Sequence, residues 1–142
     1  MKIGIASDHR GVILKEKIKR YLNDSYQIID YGTNSIESVD YPQYAYKIGE
    51  DIKSKKIERG ILICGTGIGM SIACNKVRGI RCAKINDLEE AILARSHNNV
   101  NVIALGENTQ NYKEIIDAFL NTDFSNEEKH RRRVEMIDNY DN

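Results

Sequence analysis

The stretch Ile61-Leu62-Ile63-Cys64-Gly65-Thr66-Gly67-Ile68-Gly69-Met70-Ser71 leaves little choice of architecture. A continuous apolar run ends in a cysteine, breaks into alternating glycines and resumes with residues suited to a helix. Continuous rather than alternating hydrophobicity marks a strand buried on both faces, as in a parallel sheet. A glycine-rich turn from such a strand into a helix makes a backbone-lined pocket at the strand's carboxyl end. Glycine lets the main chain turn sharply and approach a ligand closely, and the start of a helix offers N–H groups to an anion. Cys64 stands at the edge of that pocket. A thiol facing a helix N-terminus meets a positive potential that suits a base or nucleophile, although a strand-end cysteine that is merely buried has the same sequence context.

The rest of the chain repeats the strand-to-helix unit on a short rhythm. Lys2 to Ala6 reads as a first strand, broken by Ser7-Asp8-His9-Arg10-Gly11, after which Leu14, Ile18, Tyr21 and Leu22 share one helical face. Gln27 to Asp30 is a second strand, stopped by Tyr31-Gly32-Thr33-Asn34. A long loop then leads to Asp40-Tyr41-Pro42 and a helix with Ala45, Ile48 and Ile52 inward, Pro42 suiting its first turn. Gly60 to Cys64 is the third strand, followed by the glycine loop and a helix to about Lys76. Gly79 to Ile85 gives a fourth strand, and Asn86 or Asp87 caps a helix carrying Leu88, Ala91, Ile92 and Ala94. Val100 to Leu105 is the fifth strand. Tyr112, Ile115, Ile116, Phe119 and Leu120 line the helix after it. A polar break, Asn121 to Asn126, precedes a charged last helix from Glu127 to about Asn139. This alternation predicts an α/β domain with a parallel sheet covered by helices on both faces. The last helix has few apolar positions (Val134, Met136, Ile137) and is expected either to float or to pack on another subunit.

At 142 residues the chain fits one domain, 1–142, with a core that needs no staples. Basic and acidic residues number 21 each, so nothing in the charge balance points to nucleic acid or to a membrane surface. No apolar run approaches the roughly 20 residues of a membrane span. The N-terminus enters a strand pattern directly, without a signal-peptide core, and a cytoplasmic location is expected. Cys64, Cys74 and Cys82 match no zinc spacing and no disulfide framework. Cys74 and Cys82 read as small buried hydrophobes.

Ligands of an open parallel sheet bind at the carboxyl ends of its strands. The polar residues assigned there are Asp8 and His9 after the first strand, Tyr41 after the long loop, Cys64 to Gly69 after the third, and His97 and Asn98 before the fifth. The spacing Gly65-x-Gly67-x-Gly69 is neither the dinucleotide fingerprint nor a Walker loop. A cysteine phosphatase would have arginine six places after its cysteine, where this chain has Met70. Asp8 also suits a helix cap and His97 a helix C-terminus. The run Lys129-His130-Arg131-Arg132-Arg133 suits either a solvated face or a phosphate clamp. Thiol, histidines, an Asp–His pair, an anion-lined loop and arginines together suggest a phosphorylated carbonyl substrate.

The motifs SDHRG, DYPQYA, ILICGTGIG, ACNKVRGIRCA, RSHNNVNVIALG and KHRRRV, in this order from Lys2 to about Ile137, resemble ribose-5-phosphate isomerase type B. That family also holds allose-6-phosphate isomerases and galactose-6-phosphate isomerase subunits. The resemblance implies a Rossmann-like three-layer αβα sandwich with a five-stranded parallel sheet, and an aldose–ketose isomerase. It implies conversion of ribose 5-phosphate and ribulose 5-phosphate, in the pentose phosphate pathway, through a cis-enediolate and without metal or organic cofactor.

Carried over by motif, Cys64 is the base that moves the proton between C2 and C1. The N–H groups of Gly65, Thr66, Gly67, Ile68 and Gly69 form the anion hole, and Thr66 assists proton movement between the two oxygens. His97 opens the furanose ring, Asp8 engages the sugar, Asn98 a hydroxyl, and His9 sugar or phosphate, with Tyr41 also at the substrate. Lys129, His130 and Arg133 are the phosphate-binding residues. Where a branch of the family uses a glutamate base after the last loop glycine, this chain has Met70, so Cys64 keeps the role. The intact CGTGIG favours the ribose-type enzyme over the galactose branch.

Two departures bear on the phosphate. The family commonly has arginine two residues after the strand-five glycine, where this chain reads Gly106-Glu107-Asn108; Glu107 would repel a phosphate if it pointed inward. The basic helix begins with Lys129 rather than arginine. The resemblance further implies a homodimer or dimer of dimers, with the last helix and the His97 segment reaching the other subunit's pocket. Two alternatives stay open at this point: an isomerase of a six-carbon sugar phosphate (allose 6-phosphate or galactose 6-phosphate), and a non-catalytic sugar-phosphate or nucleotide-binding module.

Overall fold

In the computed structural model, which describes residues 1–140, five parallel strands are ordered β2-β1-β3-β5-β4. They are β1 (Lys2–Ser7), β2 (Gln27–Asp30), β3 (Arg59–Cys64), β4 (Cys82–Lys84) and β5 (Val102–Gly106). The helices are α1 (Val12–Leu22), α2 (Pro42–Lys53), α3 (Ile68–Cys74), α4 (Leu88–Ser96), α5 (Tyr112–Asn121) and α6 (Glu128–Asp138), with a single 3-10 turn at His9–Gly11. Right-handed crossovers send α1, α4 and α5 to one face and α2 and α3 to the other. Each face has its own apolar layer. Ile3, Ile5, Ile61, Ile63, Ile103 and Leu105 point to the first, and Ala6, Leu62, Cys64, Val102 and Ala104 to the second. The three-layer αβα sandwich expected from the sequence is the fold observed.

Two glycines make room for Ile48 of α2 against the sheet. Gly4 of β1 and Gly60 of β3 are register partners. A methyl at Gly4 would come within 2.5 Å of Ile57 Cδ1 and 2.7 Å of Ile48 Cδ1. One at Gly60 would collide with Ile48 Cγ2.

Three readings need correction. β4 spans Cys82–Lys84, not Gly79 to Ile85, because Gly79 (φ 87°) belongs to a turn closed by Ile80 N–H on the Val77 carbonyl. β5 starts at Val102, not Val100, since Asn99 and Val100 finish α4 with bonds back to Arg95 and Ala94. Leu88 and Ile92 do not face the core: they are 42% and 41% exposed, and α4 buries Ala91, Ala94 and Arg95 instead. Cys64, Cys74 and Cys82 are all buried free thiols. Among the described residues no helix is long and apolar enough to cross a membrane. The last helix, α6, buries only Val134. It is tied to the body by the Arg81–Asp138 ion pair at 2.6 Å and by contacts of His130.

Candidate active site

Strand β3 lies between β1 and β5, so the segments leaving those two strands flank the glycine loop on either side. Cys64 ends β3 with 5% of its surface exposed. Its Sγ accepts a hydrogen bond from Gly67 N–H at 3.1 Å. That bond needs the tight turn at Gly67, whose φ of 84° lies in the left-handed region open to glycine. Ile68 N–H is likewise engaged, by Thr66 Oγ1 at 3.2 Å. Of the five N–H groups assigned to the anion hole, those of Gly65, Thr66 and Gly69 have no partner among the described residues. Helix α3 has only seven residues, so these individual donors matter more than its macrodipole.

The other carboxyl-end residues gather around this loop. Asp8 is 6% exposed, and its Oδ1 caps the 3-10 turn by accepting from Arg10 N–H (2.9 Å) and Gly11 N–H (3.2 Å). Its Oδ2 accepts no hydrogen bond among the described residues. His9 Nδ1 accepts from Val39 N–H at 3.2 Å. A backbone N–H can only donate, so the proton of a neutral His9 ring sits on Nε2. Tyr41 packs tightly against the loop: a methyl at Gly69 would fall 2.5 Å from its Cζ and 2.8 Å from its hydroxyl. A cavity of about 290 Å³ opens beside Gly65 and Thr66, lined further by Lys84, Asn108 and Thr109.

Two residues to which the sequence assigns no role, Arg10 and Lys15, shape this end of the sheet together with Glu107. Arg10 Nε and Nη2 reach Glu107 Oε2 and Oε1 at 3.0 and 2.9 Å. The pair bridges the segments after β1 and β5, across the loop between them. Glu107, feared as a repulsive charge, is thus paired, and Arg10 holds its carboxyl below the usual carboxylate range. Lys15 is fully buried and donates to Asp30 Oδ1 (2.8 Å) and Oδ2 (2.9 Å), the Thr33 carbonyl (2.6 Å) and Asn34 Oδ1 (2.8 Å). It anchors the start of the loop that delivers Val39 to His9 and Tyr41 to Gly69. Burial alone would raise the Asp30 carboxyl, but Lys15, Lys19 and Gly32 N–H outweigh it and hold it low. The unmatched acid beside Asn108 was a sequence hint for the first pair; nothing local marked Lys15.

His97 and Asn98 are not at the carboxyl ends, where the sequence reading put them. Helix α4 runs back antiparallel to the strands and delivers them to the amino edge of the sheet. Asn101, three residues past Asn98, accepts from Gly60 N–H at 3.0 Å. Gly60 lies four residues before Cys64, roughly 13 Å along β3 at about 3.3 Å per residue. At that edge His97 stacks on His130 of α6, ring centroids 4.2 Å apart. Burial, helped by the charges of His97, Lys129 and Arg133, holds the His130 imidazole below its ordinary value against the opposing Glu127. Lys129 and Arg133 are exposed. Asn98 lines a separate cavity of about 410 Å³ with Arg81 and Ile137. The candidate residues therefore fall into two groups at opposite ends of one strand. Among the described residues no group of three His, Cys, Asp or Glu side chains could hold a metal ion.

Comparison with known proteins gives a consistent result. Residues 3–137 match the family described as Ribose/Galactose Isomerase. Ribose-5-phosphate isomerase B of Escherichia coli is 41% identical over 140 residues, 96% of this chain and 93% of that one. The structure of Clostridium thermocellum ribose-5-phosphate isomerase B superposes with a TM-score of 0.94 at 45% identity, covering 97% of this chain and 95% of that one. That of Mycoplasma genitalium ribose-5-phosphate isomerase B, with bound ribulose 5-phosphate, gives 0.90 at 36% identity, covering 98% and 95%.

Proposed function

The chain belongs to the ribose/galactose isomerase family and is a sugar-phosphate isomerase, and from that premise we propose that it interconverts ribose 5-phosphate and ribulose 5-phosphate. The observation that carries the reading is the buried thiol of Cys64, oriented by Gly67 N–H at 3.1 Å beneath unpaired backbone donors. On this reading the enzyme serves the pentose phosphate pathway, in the cytoplasm.

The furanose opens first: the ring oxygen gains a proton from the partner subunit's His97, and the C1 hydroxyl gives its proton to water, which restores the His97 proton. The Cys64 thiolate then takes the proton from C2. The electron pair left behind forms the C1–C2 double bond, and the aldehyde oxygen becomes the oxyanion of a cis-enediolate. The free N–H groups of Gly65, Thr66 and Gly69 are the donors for that charge; in other enzymes one such donor is worth about 3–4 kcal/mol. Thr66 passes a proton from O2 to O1, and Cys64 returns its proton to C1 to give the ketose. A hydrogen has moved within one molecule, so the reaction is redox-neutral. Asp8 Oδ2 and the partner subunit's Asn98 hold hydroxyls, and Tyr41 walls the pocket over Gly69. His9, through Nε2–H, and the partner subunit's Lys129, His130 and Arg133 face the phosphate.

A second copy of the chain supplies the amino-edge half-site, in a homodimer or a dimer of dimers. Two features support this: the roughly 13 Å separation along β3, and the uncovered apolar pairs Ile68/Ile72, Leu88/Ile92 and Met136/Ile137. The test is Cys64→Ala, assayed for ribose 5-phosphate turnover and for binding. Loss of turnover with fold and binding retained is expected; substantial residual turnover overturns the assignment.

A further inference from the structure

The glycine loop has a cation at its mouth that the mechanism above does not use. Arg10 lies 59% exposed, while Cys64 at the floor is 5% exposed. Its guanidinium rests against the main chain at Gly65, where a methyl would sit 3.1 Å from Nη1 and 3.2 Å from Cζ and Nε. Glu107 holds one edge of the guanidinium through Nε and Nη2, fixing its plane. Nη1 donates to nothing among the described residues. The other cation by the loop, Lys84, directs its ammonium to Asn86, and Asn108 brings no charge.

We propose that Arg10 is a substrate-binding residue of this half-site: its free Nη1 edge takes the phosphate of the sugar phosphate, and Glu107 is its positioning residue. The inference rests on the isomerase reading above. The carbon that loses its proton must reach the buried thiol, so the substrate enters reactive end first. Its dianionic end then stays at the exposed mouth, where Arg10 is. A guanidinium suits this work because one edge can hold Glu107 while another faces phosphate oxygens in the same plane. Both Glu107 oxygens are turned onto Arg10, so the carboxylate does not face the incoming anion.

The experiment compares Arg10→Ala, Arg10→Lys and Glu107→Ala in two assays, turnover of ribose 5-phosphate and protection of Cys64 from alkylation by inorganic phosphate. Arg10→Ala is expected to raise KM about tenfold to a hundredfold with kcat nearly unchanged, the size of a lost charge-assisted hydrogen bond. The phosphate concentration giving half-protection should rise by a similar factor. Arg10→Lys should recover part of both, and Glu107→Ala should disturb both less than Arg10→Ala. Unchanged KM and protection in Arg10→Ala would overturn the proposal. So would equal effects of Arg10→Ala and Glu107→Ala, which would make the pair a strap across the loop and nothing more. The protection assay reads Arg10 even without turnover. A wild-type chain that phosphate protects but that leaves ribose 5-phosphate unconverted counts against the substrate assigned above, not against Arg10.

Discussion

His97 and His130 stack with ring centroids 4.2 Å apart and planes 29° from parallel, joining the end of α4 to the basic face of α6. His130 is only 11% exposed, and its imidazole is held below its ordinary value chiefly by burial. A histidine so depressed favours the folded state fully above its unfolded value, about 6.5. That contribution is lost as pH falls through the lower folded value. Thermal unfolding of wild type and His130→Phe, which keeps a stacking ring without the titration, should therefore diverge on acidification. Wild type loses stability relative to the variant below about pH 6.5; parallel curves would contradict this.

The proposal that the site is shared between two copies makes a prediction that needs no ligand-bound structure. Cys64→Ala and His97→Asn subunits should each be inactive alone. Dissociated and reassociated together, random pairing gives half heterodimers, each with one intact site, and so recovers about a quarter of wild-type activity. No recovery despite subunit exchange would mean that Cys64 and His97 do not act in one shared pocket.

Lys15 is a charge at full burial, held by Asp30, Thr33 and Asn34. Lys15→Met should cost about 3–5 kcal/mol in urea unfolding, because it takes the buried partner from the half-buried Asp30 carboxylate. The cost should shrink when Asp30→Asn is combined with it.

Gly60→Ala should destabilise by about 1–3 kcal/mol through overpacking against Ile48. Trimming the partner with Ile48→Val should return part of that loss, a coupling that a double-mutant cycle measures directly.

Much of the fold is legible in the sequence because its signals are local. The runs at Ile3–Ala6, Ile61–Cys64 and Val102–Leu105 are too apolar for any but doubly covered strands, and the helices between them show their inner faces by spacing. The cysteine and its glycines likewise announce a backbone-lined turn. What is hidden depends on topology or on distance along the chain. His97 precedes a strand in the sequence and for that reason looks close to the site, yet the direction of α4 carries it to the opposite edge. Arg10 and Glu107 meet across 97 residues, and only the order β1-β3-β5 brings them together. Lys15 follows Leu14 on a helix where nothing in the spacing sets it apart from Lys17 and Lys19. Leu88 and Ile92 have helical spacing, but the face they mark is not the one turned to the sheet.

The length of β3 has one more consequence. No rotamer change or loop movement spans a strand, so a lone chain cannot unite the Cys64 thiol with its own His97. On the shared-site reading, dilution then acts as an inhibitor would. Specific activity should fall toward zero as the protein concentration drops below the subunit dissociation constant, and the cell's level of this one polypeptide becomes a control on its turnover.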